Sequence, residues 1–440
     1  MKNKKDIFVA VDLGGSKLSV MAAEKDTEGA LRILGVESIL MPHESIQYGI
    51  IRKANVVVSN LKVLLEKIQK NIQQRQDTAC EIKSCYIGID GNTLRTELHT
   101  LQKNFSKKIV FNNEMLDDIL RQTKLKLAEK GCFSTEKLPQ DSDTGFFVYE
   151  VFPKSFSLDN IICENPLGKM CSSLKMNCVM ARSNLSLFFG INAVTKELDK
   201  IRFVKSLAGI SLGSAFLTDE EKKNGAVLID FGAQCTTVIA YQKGVVCYLG
   251  NVPLGGDAIT KDLMELTHAD RTEAENIKRQ KGDLFYDNRE ESVESSNGRI
   301  PVRKVVSVIR ARQMEIVNFV EQHLEHAECS ELLKRVVVIT GGASKMKNLD
   351  VMLQKEKAWN VKHVALGDFV VSQTSNDYSR PENALLLSLL INASESCCGS
   401  IEREKKTKKE KRSGGSSILD KFSGGSSIVE IFTDMFTDPE

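Results

Sequence analysis

Three segments share one pattern that limits what this chain can fold into: an apolar strand runs into a small-residue turn that contains glycine. The segments are IFVAVDLGGSKLSVMAAEK at residues 7–25, GAVLIDFGAQCTTVIAYQKG at 225–244 and RVVVITGGASKMKNLDVMLQK at 335–355. In the first two a second strand follows at once, which predicts β-hairpins, whereas helical periodicity follows the third turn. The pattern predicts an α/β protein in which three strands end in glycine turns.

Turns of this kind predict a phosphate site. Glycine lets backbone N–H groups approach phosphate oxygens, and small-residue turns form anion-binding concavities. Asp12 and Asp230 end the first two strands, where their carboxylates suit a Mg²⁺ ion that keeps several of its waters. The third turn leaves flat space for a base or a ribose. The nucleotide-binding residues predicted in the three turns are Asp12, Gly14, Gly15, Ser16, Lys17, Asp230, Gly232, Ala233, Gln234, Gly341, Gly342 and Ala343.

Length and composition bound the rest of the chain. For 440 residues two to four domains are expected, and 42% hydrophobic with 27% charged residues is ordinary for a globular protein. A formal net charge of +2 gives no nucleic-acid signature. No stretch approaches the ~18 apolar residues of a spanning helix, and the N-terminal apolar run is too short for a signal peptide. We therefore expect a cytosolic protein, at most peripherally attached to a membrane.

The order and spacing of the three turns resemble the actin-like ATPase superfamily, in which phosphate-1, phosphate-2 and adenosine motifs follow one another. DLGGSK alone is most similar to a ROK-type sugar kinase, but the sequence lacks the zinc motif and the mid-chain catalytic aspartate of those kinases. The segment VYEVFPKSFSLDNIICENPLGKMCSSLKMNCVMA at 148–181 instead resembles the bacterial cell-division family FtsA. That similarity extends over nearly the whole chain, to about Leu390.

The resemblance implies an α/β, actin-like ATPase fold. It would have two lobes with related α/β cores that close on ATP, a small inserted α+β domain of the SHS2 type, and a disordered C-terminal linker ending in an amphipathic helix. The implied divisions are lobe 1 (1A) at 1–83, 181–217 and 360–398; the insert (1C) at 84–180; lobe 2 (2A) at 218–250 and 311–359; a small subdomain (2B) at 251–310; the linker at 399–426; and the helix at 427–438.

The same resemblance adds four residues to the nucleotide site. Gly255 and Gly256 would lie near the nucleotide, and Glu275 and Lys278 would flank the ribose and the adenine. A simple turn and a solvated helix face are the alternatives for these two pairs.

The second phosphate turn departs from the superfamily pattern. Gln234 and Cys235 carry side chains that restrict the approach to the backbone, and Thr237 stands where an aspartate is common, so that a carboxylate near the metal is missing. Backbone N–H donors remain, which favours binding of ATP. We expect weak or no hydrolysis, and we assign no catalytic residue.

The C-terminal segment combines a basic run with an amphipathic helix. REKKTKKEKR at 403–412 holds seven basic residues, and residues 427–437 on a helix gather their apolar side chains in one arc of roughly 160°. This helix is too short to cross ~30 Å of hydrocarbon, but it can lie in the interface beside the basic run. Its own acidic residues oppose this, and docking into a partner groove is the alternative. The predicted membrane-binding residues are Ile428, Val429, Ile431, Phe432, Met435 and Phe436.

The function implied by the resemblance is that of an ATP-binding cell-division protein. It would self-associate into filaments and tether FtsZ filaments to the inner face of the bacterial cytoplasmic membrane at the division septum. The C-terminal peptide of FtsZ would bind the small subdomain, and further division proteins would be partners, with no nucleic acid. The alternatives are a PilM-like pilus-assembly protein and a ROK- or acetate-type small-molecule kinase.

Overall fold

The structure is a computed structural model that describes residues 6–26, 29–76, 80–131, 145–286, 291–295, 298–371 and 378–400. The strands are β1 (Ile7–Leu13), β2 (Lys17–Lys25), β3 (Leu31–Leu40), β4 (Ile46–Gln47), β5 (Ile50–Ile51), β6 (Cys80–Ile82), β7 (Ser84–Ile89), β8 (Arg95–Val110), β9 (Phe146–Leu158), β10 (Ile161–Cys163), β11 (Met170–Asn184), β12 (Arg202–Leu207), β13 (Ala226–Phe231), β14 (Thr236–Gln242), β15 (Val245–Val252), β16 (Ser292–Ser295), β17 (Gly298–Pro301), β18 (Val336–Thr340), β19 (Asn360–His363) and β20 (Cys398–Ser400). The helices are α1 (Ala54–Gln76), α2 (Asn113–Gly131), α3 (Leu185–Glu197), α4 (Ala208–Phe216), α5 (Asp219–Asn224), α6 (Gly256–Thr267), α7 (Arg271–Lys281), α8 (Val302–His326), α9 (Leu349–Lys357) and α10 (Ala384–Ile391).

The first half of the fold is built on a five-stranded sheet in the order β3-β2-β1-β7-β12. Strands β1, β2 and β3 form an antiparallel meander, and β7 and β12 continue the sheet in parallel to β1. The apolar run of β1 is buried, since α10 packs on β1 and β7 while α1 packs on β2 and β3. A strand that is covered by helices in this way has a continuous run of apolar residues, as β1 does in IFVAV.

The second half repeats this order. Strands β15, β14 and β13 form an antiparallel meander, and β18 and β19 continue it in parallel, so that the order β15-β14-β13-β18-β19 matches β3-β2-β1-β7-β12. A separate group of buried residues from this sheet and from α6, α8 and α9 forms a second core. The prediction of two lobes with related α/β cores is thus confirmed.

A long antiparallel ladder of β8, β9 and β11 carries the short edge strand β10 and is covered by α2. It has its own core, which includes Phe111, Leu116 and Met176. One residue pair, Gly250 with Arg95, joins the ladder to β15, so the second sheet counts nine strands. Strand β7 lies within the range predicted for the insert, but it pairs with β1 in the first sheet.

Helices α6 and α7 and the β16–β17 hairpin occupy the range predicted for the small subdomain. Helix α8 begins at Val302, so its first two turns also fall inside that range. Across the described ranges, no helix has both the length and the apolar composition needed to span a membrane. The predicted linker from Ile401 onward and the predicted terminal helix lie outside the described residues.

Candidate functional site

The two hairpin turns have the same backbone shape. In the β1–β2 turn, a Cβ atom on Gly14 would lie 2.7 Å from the carbonyl oxygen of Lys17; in the β13–β14 turn, a Cβ atom on Gly232 would lie 2.6 Å from that of Cys235. Each turn therefore folds back on itself so tightly that only glycine fits at this position. The sequence predicts both glycines, and the repeated order of strands places them at equivalent points of the two sheets.

Gly255 and Gly256 lie against the second hairpin turn. The N–H group of Gly256 donates to the Gly232 carbonyl at 3.0 Å, and the N–H group of Asp257 donates to the Ala233 carbonyl at 2.8 Å. A Cβ atom on Gly255 would lie 2.5 Å from the Gly232 carbonyl oxygen. Glycine at this position thus lets the N-terminus of α6 rest directly on the turn.

The third turn follows β18 and approaches the second one from the other side. Gly341 has a φ of +92°, and a Cβ atom there would lie 2.1 Å from Asp230 Oδ1 and 2.5 Å from the Phe231 carbonyl oxygen. Gly342 is less restricted, because its Cβ atom would make only an ordinary contact, 3.6 Å from Glu382 Cβ. Gly341 is therefore required by the fold, whereas Gly342 leaves room beside the turn.

Lys278 and Glu275 connect α7 to the start of α6. Lys278 Nζ donates to the Gly256 carbonyl at 2.9 Å and lies 2.6 Å from Glu275 Oε2, which accepts from Thr260 Oγ1 at 2.7 Å. A Cβ atom on Gly256 would lie 3.3 Å from Lys278 Nζ and 3.2 Å from Ala343 Cβ. The helix pair and the third turn, predicted separately from sequence, therefore meet at Gly256.

Three half-buried carboxyl groups, those of Asp12, Asp90 and Asp230, lie near one another where the two sheets face. Burial raises the pKa of Asp12 to about 6, with Lys17 lowering it and Asp90 raising it further. Burial, together with repulsion from Asp90 and Asp12, raises the pKa of Asp230 to about 7. Unlike charges would stabilise these carboxylates, so the group favours a cation among them.

Asp90 is the functional residue that the sequence reasoning missed. It follows β7, and burial raises its pKa although hydrogen bonds from Thr237, Asn251 and the Gly91 N–H group act in the opposite direction. The strand and turn SCYIGIDGN have the same pattern as the three predicted segments, an apolar strand followed by a small-residue turn. That pattern is the signal that would have identified it.

Asp90 also corrects the expectation that Thr237 leaves the site short of a carboxylate. Thr237 Oγ1 lies 2.5 Å from Asp90 Oδ2 and 2.7 Å from Asn251 Oδ1. Thr237 thus stands on the second sheet and contacts a carboxylate supplied by the first. Within the described part of the chain, no group of three or more His, Cys, Asp or Glu side chains is arranged to hold a metal directly.

The comparisons with known proteins agree with this architecture. The family model described as FtsA, cell division protein FtsA, matches residues 227–388. The chain is 25% identical over 378 residues to cell division protein FtsA of Bacillus subtilis (strain 168), with 82% of this chain and 79% of the relative covered. It is 24% identical over 356 residues to cell division protein FtsA of Pseudomonas aeruginosa, with 78% of each chain covered. The resemblance to FtsA is confirmed.

A solved structure supports the fold independently. The PilM–PilN type IV pilus biogenesis complex matches with a TM-score of 0.59 and 16% sequence identity, covering 87% of this chain and 97% of that chain. At this identity the match establishes the fold alone. The chain thus has an actin-like α/β fold and is similar in sequence to proteins named cell division protein FtsA. The predicted membrane-binding residues lie outside the part that the structure describes.

Proposed function

We propose that the chain binds ATP with Mg²⁺ between its two lobes. The observation that carries this proposal is the meeting of four turns, one hairpin turn and one strand-end turn from each sheet, around three half-buried carboxyl groups. The backbones approach so closely at Gly232, Gly255 and Gly341 that a Cβ atom would collide with a neighbouring main chain. A flat ligand with an anionic end suits such a glycine-lined cleft.

The donor set also fits this ligand. Among the described residues, the buried Thr340 hydroxyl has no hydrogen-bond partner, and Thr340 lies opposite Asp230 in the β13–β18 register. Buried polar groups left unpaired are costly, so a ligand or a hydrated cation that satisfied them would stabilise this conformation. Carboxylates that bind Mg²⁺ through water need no direct metal cluster, since this ion retains several waters.

Residues of both lobes would bind the nucleotide. Gly14, Gly15, Ser16 and Lys17 would hold phosphate oxygens from the first lobe, and Gly232 and Ala233 would do so from the second. Lys278 and Glu275, already fixed against Gly256, would border the ribose and the base beside the third turn. Mg²⁺ would offset the negative charge that the three aspartates and the phosphates bring together.

The proposed site favours binding over rapid hydrolysis. Thr237 and Asn251 hold the Asp90 carboxylate in place from the second sheet. A carboxylate held in this way is oriented by its partners, and no residue is assigned to orient an attacking water. We infer that ATP acts here chiefly as a ligand that sets the conformation or the assembly of the protein.

At the level of the cell, we propose that the chain self-associates into filaments and tethers FtsZ filaments to the inner face of the cytoplasmic membrane at the division septum. The similarity to proteins named cell division protein FtsA supports this proposal. The C-terminal peptide of FtsZ would bind the small subdomain at 251–310. The C-terminal segment, with its basic run and apolar residues, would attach the protein to lipid.

Co-sedimentation with anionic vesicles, in the presence of ATP and Mg²⁺, tests the tether. We expect the full chain to pellet with vesicles and a chain stopped at Ser400 to remain in the supernatant. A full chain carrying both Phe432→Glu and Phe436→Glu is the matched control, because it keeps the basic run but loses the apolar face. It should stay in the supernatant and still bind nucleotide. If all three proteins remain soluble, the tail is not a membrane anchor.

A role in pilus assembly like that of PilM is the second candidate. It is favoured by one observation, the match of 97% of the solved chain at a TM-score of 0.59. Titration with a peptide from the C-terminus of FtsZ separates the two functions. Binding of that peptide supports the division role. If the peptide does not bind and the full chain does not sediment with vesicles, the pilus role is favoured.

A further inference from the structure

The side chain of Gln234 lies between the two hairpin turns. It belongs to the second turn, only 7% of its surface is exposed, and it borders a cavity of about 400 Å³ together with Tyr48 and Gly255. A Cβ atom on Gly15, in the first turn, would lie 2.4 Å from both Cδ and Oε1 of Gln234. The amide thus packs directly on the glycine backbone of the opposite turn.

Both ends of this amide contact backbone groups of the first half. Gln234 Oε1 accepts a hydrogen bond from the Tyr48 N–H group at 2.7 Å, and Nε2 donates to the Gly15 carbonyl at a longer 3.5 Å. Tyr48 itself has a φ of +50°, and its carbonyl accepts from the Asn92 N–H group at 2.9 Å. The amide therefore ties the second turn to the loop that lies beside Asp90 and Gly91.

We infer that Gln234 is a latch that holds the two turns together and competes with the terminal phosphate of a nucleoside triphosphate. Two turns can bind the same phosphate only in the gap between them, and this gap contains the Gln234 amide. A nucleoside diphosphate, which is shorter by one phosphate, leaves the amide in place. The inference rests on the proposed nucleotide function and adds a preference for diphosphate over triphosphate.

The opposite role, in which the amide binds the terminal phosphate, fits these contacts less well. The amide oxygen would repel phosphate oxygens, and the amide nitrogen is directed at the Gly15 carbonyl. A phosphate would have to displace the amide from Tyr48 and Gly15 before it could use both turns. Breaking contacts of this kind lowers affinity, and removing the side chain should restore it.

The test compares the full chain with its Gln234→Ala variant. Calorimetric titration with Mg²⁺ and either ADP or a non-hydrolysable ATP analogue should show that the variant binds the analogue about tenfold more tightly, with a change of less than about threefold for ADP. Gln47→Ala, which alters a glutamine bordering the same cavity, should change neither affinity. Weaker binding of the analogue, or unchanged binding of both ligands, would overturn the inference.

A second readout needs no nucleotide. Hydrogen exchange at the Tyr48 amide should be at least about tenfold faster in Gln234→Ala than in the unaltered chain, since its acceptor is removed. Unchanged exchange shows that the latch is absent, whatever the affinities are. If neither ADP nor the analogue binds to either protein, the proposed nucleotide function fails, while the exchange result still decides whether Gln234 links the two turns.

Discussion

The two hairpin turns have one backbone shape and two different chemistries. Aligned on their aspartates, DLGGSK at 12–17 and DFGAQC at 230–235 share the glycine whose Cβ atom would meet a backbone carbonyl. The three residues that follow differ, because the first turn has glycine, serine and lysine where the second has alanine, glutamine and cysteine. The two turns share their backbone geometry, whereas of these two turns only the first carries a cation, Lys17.

Because of this difference, the two aspartates of the hairpin turns have different charged neighbours. Lys17 lowers the pKa of Asp12 and so partly offsets its burial. The pKa of Asp230 is raised by burial and by two neighbouring carboxylates. Its own turn has Cys235 where the first turn has lysine, so no cation in that turn lowers this pKa. We therefore expect Asp230 to depend more on a bound cation than Asp12 does.

The largest effect is expected where the two strand-end turns differ. Gly341 has a φ of +92° and would place a Cβ atom 2.1 Å from Asp230 Oδ1, whereas a Cβ atom on Gly91 would lie 3.1 Å from the Tyr48 carbonyl. Gly341→Ala should lower the free energy of unfolding by about 3–5 kcal/mol, and Gly91→Ala by about 1 kcal/mol. Urea denaturation measures both.

Gly342→Ala is the control for this pair, since its Cβ atom would make an ordinary contact at 3.6 Å. Its free energy of unfolding should lie within about 0.5 kcal/mol of that of the unaltered chain. Equal costs for Gly341→Ala and Gly91→Ala would contradict the view that only the second strand-end turn requires a left-handed residue.

An intermediate and equal effect is expected at the shared glycine of the hairpin turns. Gly14→Ala and Gly232→Ala each bring a Cβ atom within 2.7 and 2.6 Å of a backbone oxygen. Each should destabilise the protein by about 1–3 kcal/mol, with the two values agreeing within about 0.5 kcal/mol. Gly367→Ala, which meets nothing within 4 Å, should be neutral. Clearly unequal costs would show that the two turns share a sequence pattern but not the same close approach to a carbonyl oxygen.

Much of this site is visible in the sequence because strand and turn chemistry is local. The apolar strands, the glycines that follow them and Asp12 and Asp230 are all adjacent in the chain. The same locality explains why the predicted insert includes β7, since nothing within SCYIGI shows that its partner is β1, more than seventy residues earlier.

The contacts across the cleft are not visible in the sequence. Along the sequence, Thr237 indicates a missing carboxylate, since nothing near it in the chain shows that Asp90 reaches it from the other sheet. The sequence indicates only that the Gln234 side chain restricts the approach to its own backbone, whereas in the structure its amide is held by Tyr48 and Gly15 of the first half. Side chains that act between halves require the three-dimensional pairing of the sheets, which a pattern read along one strand does not contain.

The smallest expected effect compares the two aspartates by pH. A carboxyl group whose pKa is raised by folding keeps its proton in the native state, so its stabilising contribution is present at low pH and is lost as pH rises through the folded value. For Asp230 this window runs from the ordinary carboxyl pKa of 3.8 to about 7, and for Asp12 it ends at about 6. Asn is neutral at every pH and nearly the same size. Asp230→Asn should therefore stabilise the nucleotide-free protein by about 1–2 kcal/mol at pH 8 and by much less at pH 5.

Asp12→Asn should stabilise the protein less than Asp230→Asn does, because the same change also removes the attraction between Asp12 and Lys17. Thermal unfolding in the presence of a chelator, at both pH values, measures the two differences. If Asp12→Asn stabilised the protein as much as Asp230→Asn, Lys17 would not be relieving the first turn, and the two halves would share their electrostatics as well as their backbone. If neither substitution stabilised the protein more at pH 8 than at pH 5, relative to the unaltered chain, burial and repulsion would not be raising the pKa values of these carboxyl groups, and the reason given for a cation in this cleft would be lost.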